Sequence, residues 1–217
     1  MLFRSPFALR RAALGVIRIV VENQVPLSLS DALDAAFTPF KHRPKTDLET
    51  FFTERMRHYF LERGYTANEV EAVLGAGGLA PASLIPRQLE AVRAFARLPE
   101  AESLAAANKR VANILKQARA KGESFSATRI DDLREPAERA LHEAIQSASR
   151  QATPLFKEGD FTGYLKTFAV LKAPVDAFFD SVMVMVDDRE LRQNRLALLS
   201  DLRTQMNRIA DISKLAT

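Results

Sequence analysis

The stretch 99-PEAESLAAANKRVANILKQARAK-121 decides the fold. Leu104, Ala107, Val111, Ile114, Leu115 and Ala118 recur at three- and four-residue steps, the period of one helix face. Pro99 predicts the start, because its fixed φ suits a first helical turn. Glu100 and Glu102 sit in that turn, where acids complement the positive end of the helix dipole. A second face carries Lys109, Asn113 and Lys116 at i, i+4 and i+7, with Arg110 and Gln117 beside it and no acid. A solvated helix usually interleaves acids at i±4. Basic residues late in a helix are also favoured by its dipole. From this stretch alone, a solvated helix end and a surface that reads a polyanion both stay open.

The flanking sequence repeats the helical period. Asp47 precedes Leu48, Phe51, Phe52, Met56, Tyr59 and Phe60, a run that ends at Gly64. Thr66 with Glu69 three residues on predicts a capping box. The stretch 75-GAGGLAP-81 reads as a loop, and Pro86 as the neighbourhood of the next helix start. Pro136 predicts a first helical turn and Asp160 a cap. Pro174 opens a helix carrying Val175, Phe178, Phe179, Val182 and Val186. The run 182-VMVMV-186 alone could be a strand, but the phenylalanine spacing before it favours buried helix. A last helix is expected from about Asp188 to Ile212. The predicted fold class is an all-α bundle. The aperiodic stretch 41-KHRPKT-46 is the expected boundary between a leading helical piece, 1–46, and a main domain, 47–217.

Composition bounds the function. The 217 residues are 47% hydrophobic, enough for a packed core. No cysteine is present, which removes disulfides, thiol catalysis and cysteine zinc sites and fits a reducing compartment. Net charge is only +4 but uneven: +4 over 1–46, −3 over 47–86, +5 over 87–121 and −2 over 122–217. Local basic clustering of this kind suits a polyanionic partner. No apolar run approaches a membrane span. Residues 1–21 hold Arg4, Arg10, Arg11 and Arg18 and no acid, so a transit peptide or membrane-surface helix is one reading. The plainer reading is a helix whose stripe Leu9, Ala13, Val16, Ile17 and Val20 packs on protein.

Catalytic chemistry is sparse. His42, His58 and His142 are far apart and lack a metal-ligand spacing. The glycines at 75–78 are neither a P-loop nor a dinucleotide fingerprint. Asp131–Asp132 and Asp187–Asp188 are adjacent pairs, which point about 100° apart on a helix, and each precedes a helix start. No metal site and no catalytic residue is expected in this chain.

Three stretches carry a resemblance: 6-PFALRRAALGVIRIVVE-22, 90-EAVRAFARLPEAESLAAANKRVANIL-115 and 174-PVDAFFDSVMVMVDDRELRQNRLALLSDLR-203. They resemble the C-terminal part of the β subunit of bacterial glycyl-tRNA synthetase, with spacing that covers almost the whole chain. The resemblance implies an all-helical anticodon-binding domain of the arginyl-tRNA-synthetase type. It implies a non-catalytic piece of a longer cytoplasmic subunit, with the arginine-rich first helix internal to that subunit. Glycine, ATP and Mg would be handled by a separate α subunit, and tRNA-Gly, whose anticodons end in two cytosines, would be the ligand. Carried over by residue, the first long block puts Asn108, Lys109, Arg110 and Asn113 in play, with Lys116 on the same face. The late block puts Arg192, Gln193, Asn194 and Arg195 in play, with Gln193 where the family commonly has asparagine. The expected RNA-binding set is therefore Lys109, Arg110, Asn113, Lys116, Arg192 and Asn194. Arg192 could instead pair with Asp188, and Arg195 with Asp188 or an acid on another helix. Phe178 and Phe179 are expected in the core. The alternative function is a helical assembly module whose basic patch is incidental.

Overall fold

A computed structural model describes residues 6–40, 45–76 and 81–216, and they are helical with no strand among them. The chain forms two compact units, 1–90 and 91–217. His42 and most of the expected boundary at 41–46 lie outside the described residues, as does part of the 75–86 loop.

The first unit contains α1 (Pro6–Glu22), α2 (Leu29–Phe37), α3 (Lys45–Leu61) and α4 (Ala67–Leu74). Ala13, Ile17, Val20 and Val21 of α1 are buried, whereas Leu9 and Val16 of the expected stripe are exposed. Met56, Tyr59 and Phe60 of α3 complete this core with Val70 and Val73 of α4. The Tyr59 hydroxyl donates to Glu22 Oε1 at 3.0 Å, and Arg63 pairs with the same oxygen at 2.8 Å. Ser30 of α2 donates to Glu49 of α3 at 2.7 Å. Because α3 packs on α1 and α2, residue 47 lies inside this unit and the contact-based division falls later, at Glu90–Ala91. The capping box at Thr66 and Glu69 forms as the sequence predicts.

α5 (Ile85–Ala96) runs across that division. The second unit then contains α6 (Ala101–Ala120), α7 (Pro136–Glu158), α8 (Phe161–Thr167), α9 (Lys172–Ser181) and α10 (Arg189–Met206). Short 3-10 turns fall at Phe168–Leu171 and Ile212–Leu215. α6 packs on α9, α10 and the last turn, and α7 packs on α8, α9 and α10. Leu104, Val111, Leu115, Leu141, Ile145, Phe168, Phe178 and Leu198 are all at most 1% exposed, so this core is continuous across the helices. Ala107 and Ile114 of the predicted α6 stripe are only half-buried, and Asn108 takes a core position instead.

Two boundaries differ from the sequence expectation. The 182–186 run is not helix: α9 stops at Ser181, and the chain leaves it through an extended Val182 and a bend at Val184–Met185, with Val182 and Val184 buried and Met183 and Met185 exposed. Side chains take the carbonyls that a helix would bond internally. Arg195 Nη1 donates to Met183 O at 2.7 Å, and Arg192 Nη1 to Val186 O at 2.5 Å. α10 stops at Met206 rather than near Ile212, because Asn207 closes the helix. Its Nδ2 donates to Arg203 O at 2.9 Å, and its Oδ1 accepts from Ile212 N at 2.9 Å.

Candidate nucleic-acid interface

α6 presents the expected polar face. Lys109, Asn113 and Lys116 are exposed, and no hydrogen bond or ion pair holds their side chains among the described residues. Helical spacing places the three along one edge, roughly opposite the buried Leu104, Val111 and Leu115. Glu102 is the one acid inside the helix and lies in its first turn. The basic edge therefore faces solvent uncompensated by an acid on its own helix.

Arg110 is exposed but not loose. Its guanidinium carbon lies 4.1 Å from the Phe179 ring centroid, a cation–π contact between α6 and α9. Phe179 is accordingly half-buried, unlike Phe178, which is fully buried as expected. Ser103, Asp176 and Asp180 line the same shallow cleft of 430 Å³. Asp176 is occupied by Lys172 at 2.6 Å and accepts from Ser103 at 3.3 Å.

The late block is placed differently. Arg192 Nε donates to Glu123 Oε1 at 2.7 Å, while Nη1 bonds the carbonyls of Val186 and Asp187. The expected Asp188–Arg192 pair does not form. Asp188 Oδ1 instead caps α10 by accepting from Leu191 N at 3.1 Å, and its carboxylate pairs with Arg134 at 3.4 Å. The backbone N–H of Leu191, with Arg134 behind it, holds the Asp188 carboxyl below the usual carboxylate range. Glu123 is also held low, chiefly by its hydrogen bond from Arg192.

Asn194 is buried, at 4% exposure. Its Oδ1 accepts from Arg129 N at 2.7 Å, and its Nδ2 donates to Arg129 O at 3.0 Å. Both faces of the amide are thus committed to the backbone of one loop residue. Arg195 is buried too, and it pairs with the fully buried Glu138 of α7. The acid on another helix is the partner, rather than Asp188. Glu138 also accepts from the backbone N–H groups of Arg134 at 2.6 Å and Glu135 at 3.0 Å, so one carboxylate closes α7 and fixes α10. Sequence periodicity placed Arg195 beside the core, but the partner 57 positions away carries no local signal.

A second buried polar set was not anticipated as a unit. Asn108 Oδ1 accepts from Arg203 Nη1 at 3.0 Å and Asn207 Nδ2 at 2.9 Å, tying α6 to the end of α10. Arg203 also pairs with Asp211 at 3.3 Å. Asn108 therefore belongs to the interior while its neighbours Lys109 and Arg110 face outward. Among the described residues no group of three His, Asp or Glu side chains is arranged to hold a metal ion, and no helix is long and apolar enough to cross a membrane.

Comparison with known proteins places this geometry. Residues 4–75 match the family described as glycyl-tRNA synthetase beta subunit, and residues 104–215 match the DALR anticodon binding domain. The chain is 50% identical over 217 residues to the glycine–tRNA ligase beta subunit of Thiobacillus denitrificans, which covers 98% of this chain and 30% of that relative. It is 50% identical over 218 residues to the protein of the same description from Paracidovorax citrulli, again covering 98% of this chain and 30% of the relative. The counterpart from Ralstonia nicotianae is 48% identical, with 98% and 31% covered. The chain thus spans about a third of the length of these relatives. The second match takes in α6 from Leu104 onward and every helix after it, the region that carries the basic edge and the two buried polar sets. The chain belongs to the DALR anticodon-binding family, in the form carried by glycyl-tRNA synthetase beta subunits.

Proposed function

We propose that this chain is the tRNA-binding module of a glycine–tRNA ligase and recognises the anticodon arm of tRNA-Gly. The observation that carries the reading is the exposed, unpaired row Lys109, Asn113 and Lys116 on a domain of the anticodon-binding family. Lysines supply phosphate attraction, and the asparagine amide offers a donor and an acceptor to a base edge. Arg110 adds a cation whose guanidinium is braced by Phe179, so less rotamer entropy is lost on contact. In this reading Arg192 and Asn194 shape the surface rather than touch bases, since their polar atoms already hold the 123–129 loop.

The chain itself performs no chemistry in this proposal. An α subunit would bind glycine, ATP and Mg²⁺ and attach glycine in the cytoplasm, with anticodon fit here committing the acceptor end to that distant site. Residues 1–46 would continue a preceding region of the beta subunit. The alternative is a helical assembly module in which α1 docks on other protein and the basic edge is incidental.

The two roles separate in a salt titration. Each phosphate contact to a single-stranded segment contributes about 0.7 to the slope of log K against log salt. Lys109→Ala with Lys116→Ala should lower that slope for tRNA-Gly by about 1.4. A fold-intact double variant with unchanged slope would return the basic edge to an ordinary solvated helix face.

A further inference from the structure

The loop after α6 is tethered at both ends. On its near side Glu123 accepts from Arg192 Nε at 2.7 Å and Gln193 Nε2 at 3.4 Å. On its far side the Thr128 hydroxyl donates to Asp201 at 2.6 Å, and Asn194 takes both backbone groups of Arg129. Residues 124–127 therefore arch over the first turns of α10 with both feet fixed. Beneath them lies a cleft of 210 Å³ walled by Ser124, Phe125, Ser126 and Arg129 from the arch and by Gln193 from α10.

Its chemistry is mixed in a specific way. Phe125 offers a half-buried ring, and the Arg119 guanidinium stands 5.2 Å from its centroid. Ser124 and Ser126 are exposed hydroxyls on the rim. Gln193 uses its amide nitrogen on Glu123, which leaves its carbonyl oxygen as an acceptor. Pockets for drug-sized ligands run to roughly 300–1,000 Å³, so this cleft suits a single heterocycle.

The electrostatic approach points the same way. Lys116, Arg119 and Lys121 lead down the last turns of α6 to the arch. Two of the carboxylates at its edge are neutralised by ion pairs, Glu123 with Arg192 and Asp132 with Arg129, while Asp201 is held by the neutral Thr128 hydroxyl. A polyanionic strand that follows the helix end therefore meets three cations, with Glu123 and Asp132 already paired.

We propose that the cleft under residues 124–127 holds one unstacked base of an RNA strand, its ring against Phe125 and its edge met by Ser124, Ser126 and the Gln193 amide. The proposal rests on the tRNA-binding reading above and adds to it a second point of contact beyond the α6 edge. It also gives the paired tethers a purpose, because a stacking wall must be rigid to repay the cost of unstacking a base.

The chain contains no tryptophan, so Phe125→Trp installs a lone indole reporter in the cleft wall. The full chain carrying it is titrated with tRNA-Gly, and occupancy is followed separately by gel shift. The expected result is quenching of indole emission with the same midpoint as the shift. Full occupancy by gel shift with unchanged emission overturns the cleft proposal while leaving tRNA binding intact. No gel shift with the parent chain overturns the tRNA-binding reading and the cleft with it. In parallel, Phe125→Leu with unchanged circular dichroism should weaken tRNA-Gly binding about tenfold while keeping the salt slope. Unaltered affinity in that folded variant also overturns the proposal.

Discussion

Replacing Arg195 with methionine should destabilise the second unit more than any surface change on α6. Arg195 is 6% exposed and its partner Glu138 is fully buried, so no water can replace the lost guanidinium. Removing one partner of a buried ion pair costs roughly 3–5 kcal/mol. Here the low end applies, because Glu138 keeps two backbone N–H donors, from Arg134 and Glu135. The Met183 carbonyl loses its donor as well, which removes one of the two arginine tethers on the 182–186 segment. About 3 kcal/mol at roughly 2–4 °C per kcal/mol gives a fall in Tm of about 6–12 °C. Differential scanning calorimetry measures it directly. The double variant Glu138→Gln with Arg195→Met should recover part of the loss, since the neutral amide still accepts a backbone hydrogen bond and leaves no buried charge. A fall below about 2 °C for Arg195→Met, or a double variant no more stable than Arg195→Met alone, would refute the reasoning.

Further outcomes follow from other parts of the second unit. Asn194→Leu leaves the Arg129 N–H without its acceptor, while Arg129 O keeps the Asp132 N–H at 3.3 Å, and should cost about 1–3 kcal/mol in urea unfolding, with faster amide exchange across 123–129. Gly159, at φ +77°, ends α7 in the left-handed region, and Gly159→Ala should cost about 1 kcal/mol, whereas Gly159→Asn costs less. Burial pushes the Tyr164 hydroxyl up to about 12, with its proton donated to the Gln205 carbonyl at 2.5 Å. The unfolded chain ionises at its ordinary value of 10.0 and the folded one later, so this stability is present below pH 10 and lost as pH rises towards 12. Tyr164→Phe should flatten the pH dependence of Tm in that window.

Much of the fold was legible because its signals are local. The Thr66–Glu69 box, Pro136 at a first turn and the Asp160 cap all act within four residues, and all form. The misread 182–186 run shows the opposite case. Its apolar residues satisfy either period, and what decides it is a pair of arginines on the following helix reaching back to its carbonyls. The same limit applies to the interface. Helical period alone exposes Lys109, Asn113 and Lys116, whereas the burial of Asn108 and Asn194 depends on partners 95 and 65 positions away. An asparagine left exposed on a helix and one that clamps a loop look alike in sequence. Only the tertiary contacts separate Asn113 from Asn194.

The most direct test of anticodon-arm recognition is the affinity of this chain for tRNA-Gly against a tRNA-Gly altered at the second and third anticodon bases, each at two salt concentrations. A well-made base contact contributes roughly 1–3 kcal/mol, so losing both cytosines should weaken binding by about tenfold or more at moderate salt, with both RNAs showing the same salt slope. Equal affinity for the two RNAs at moderate salt would contradict the account.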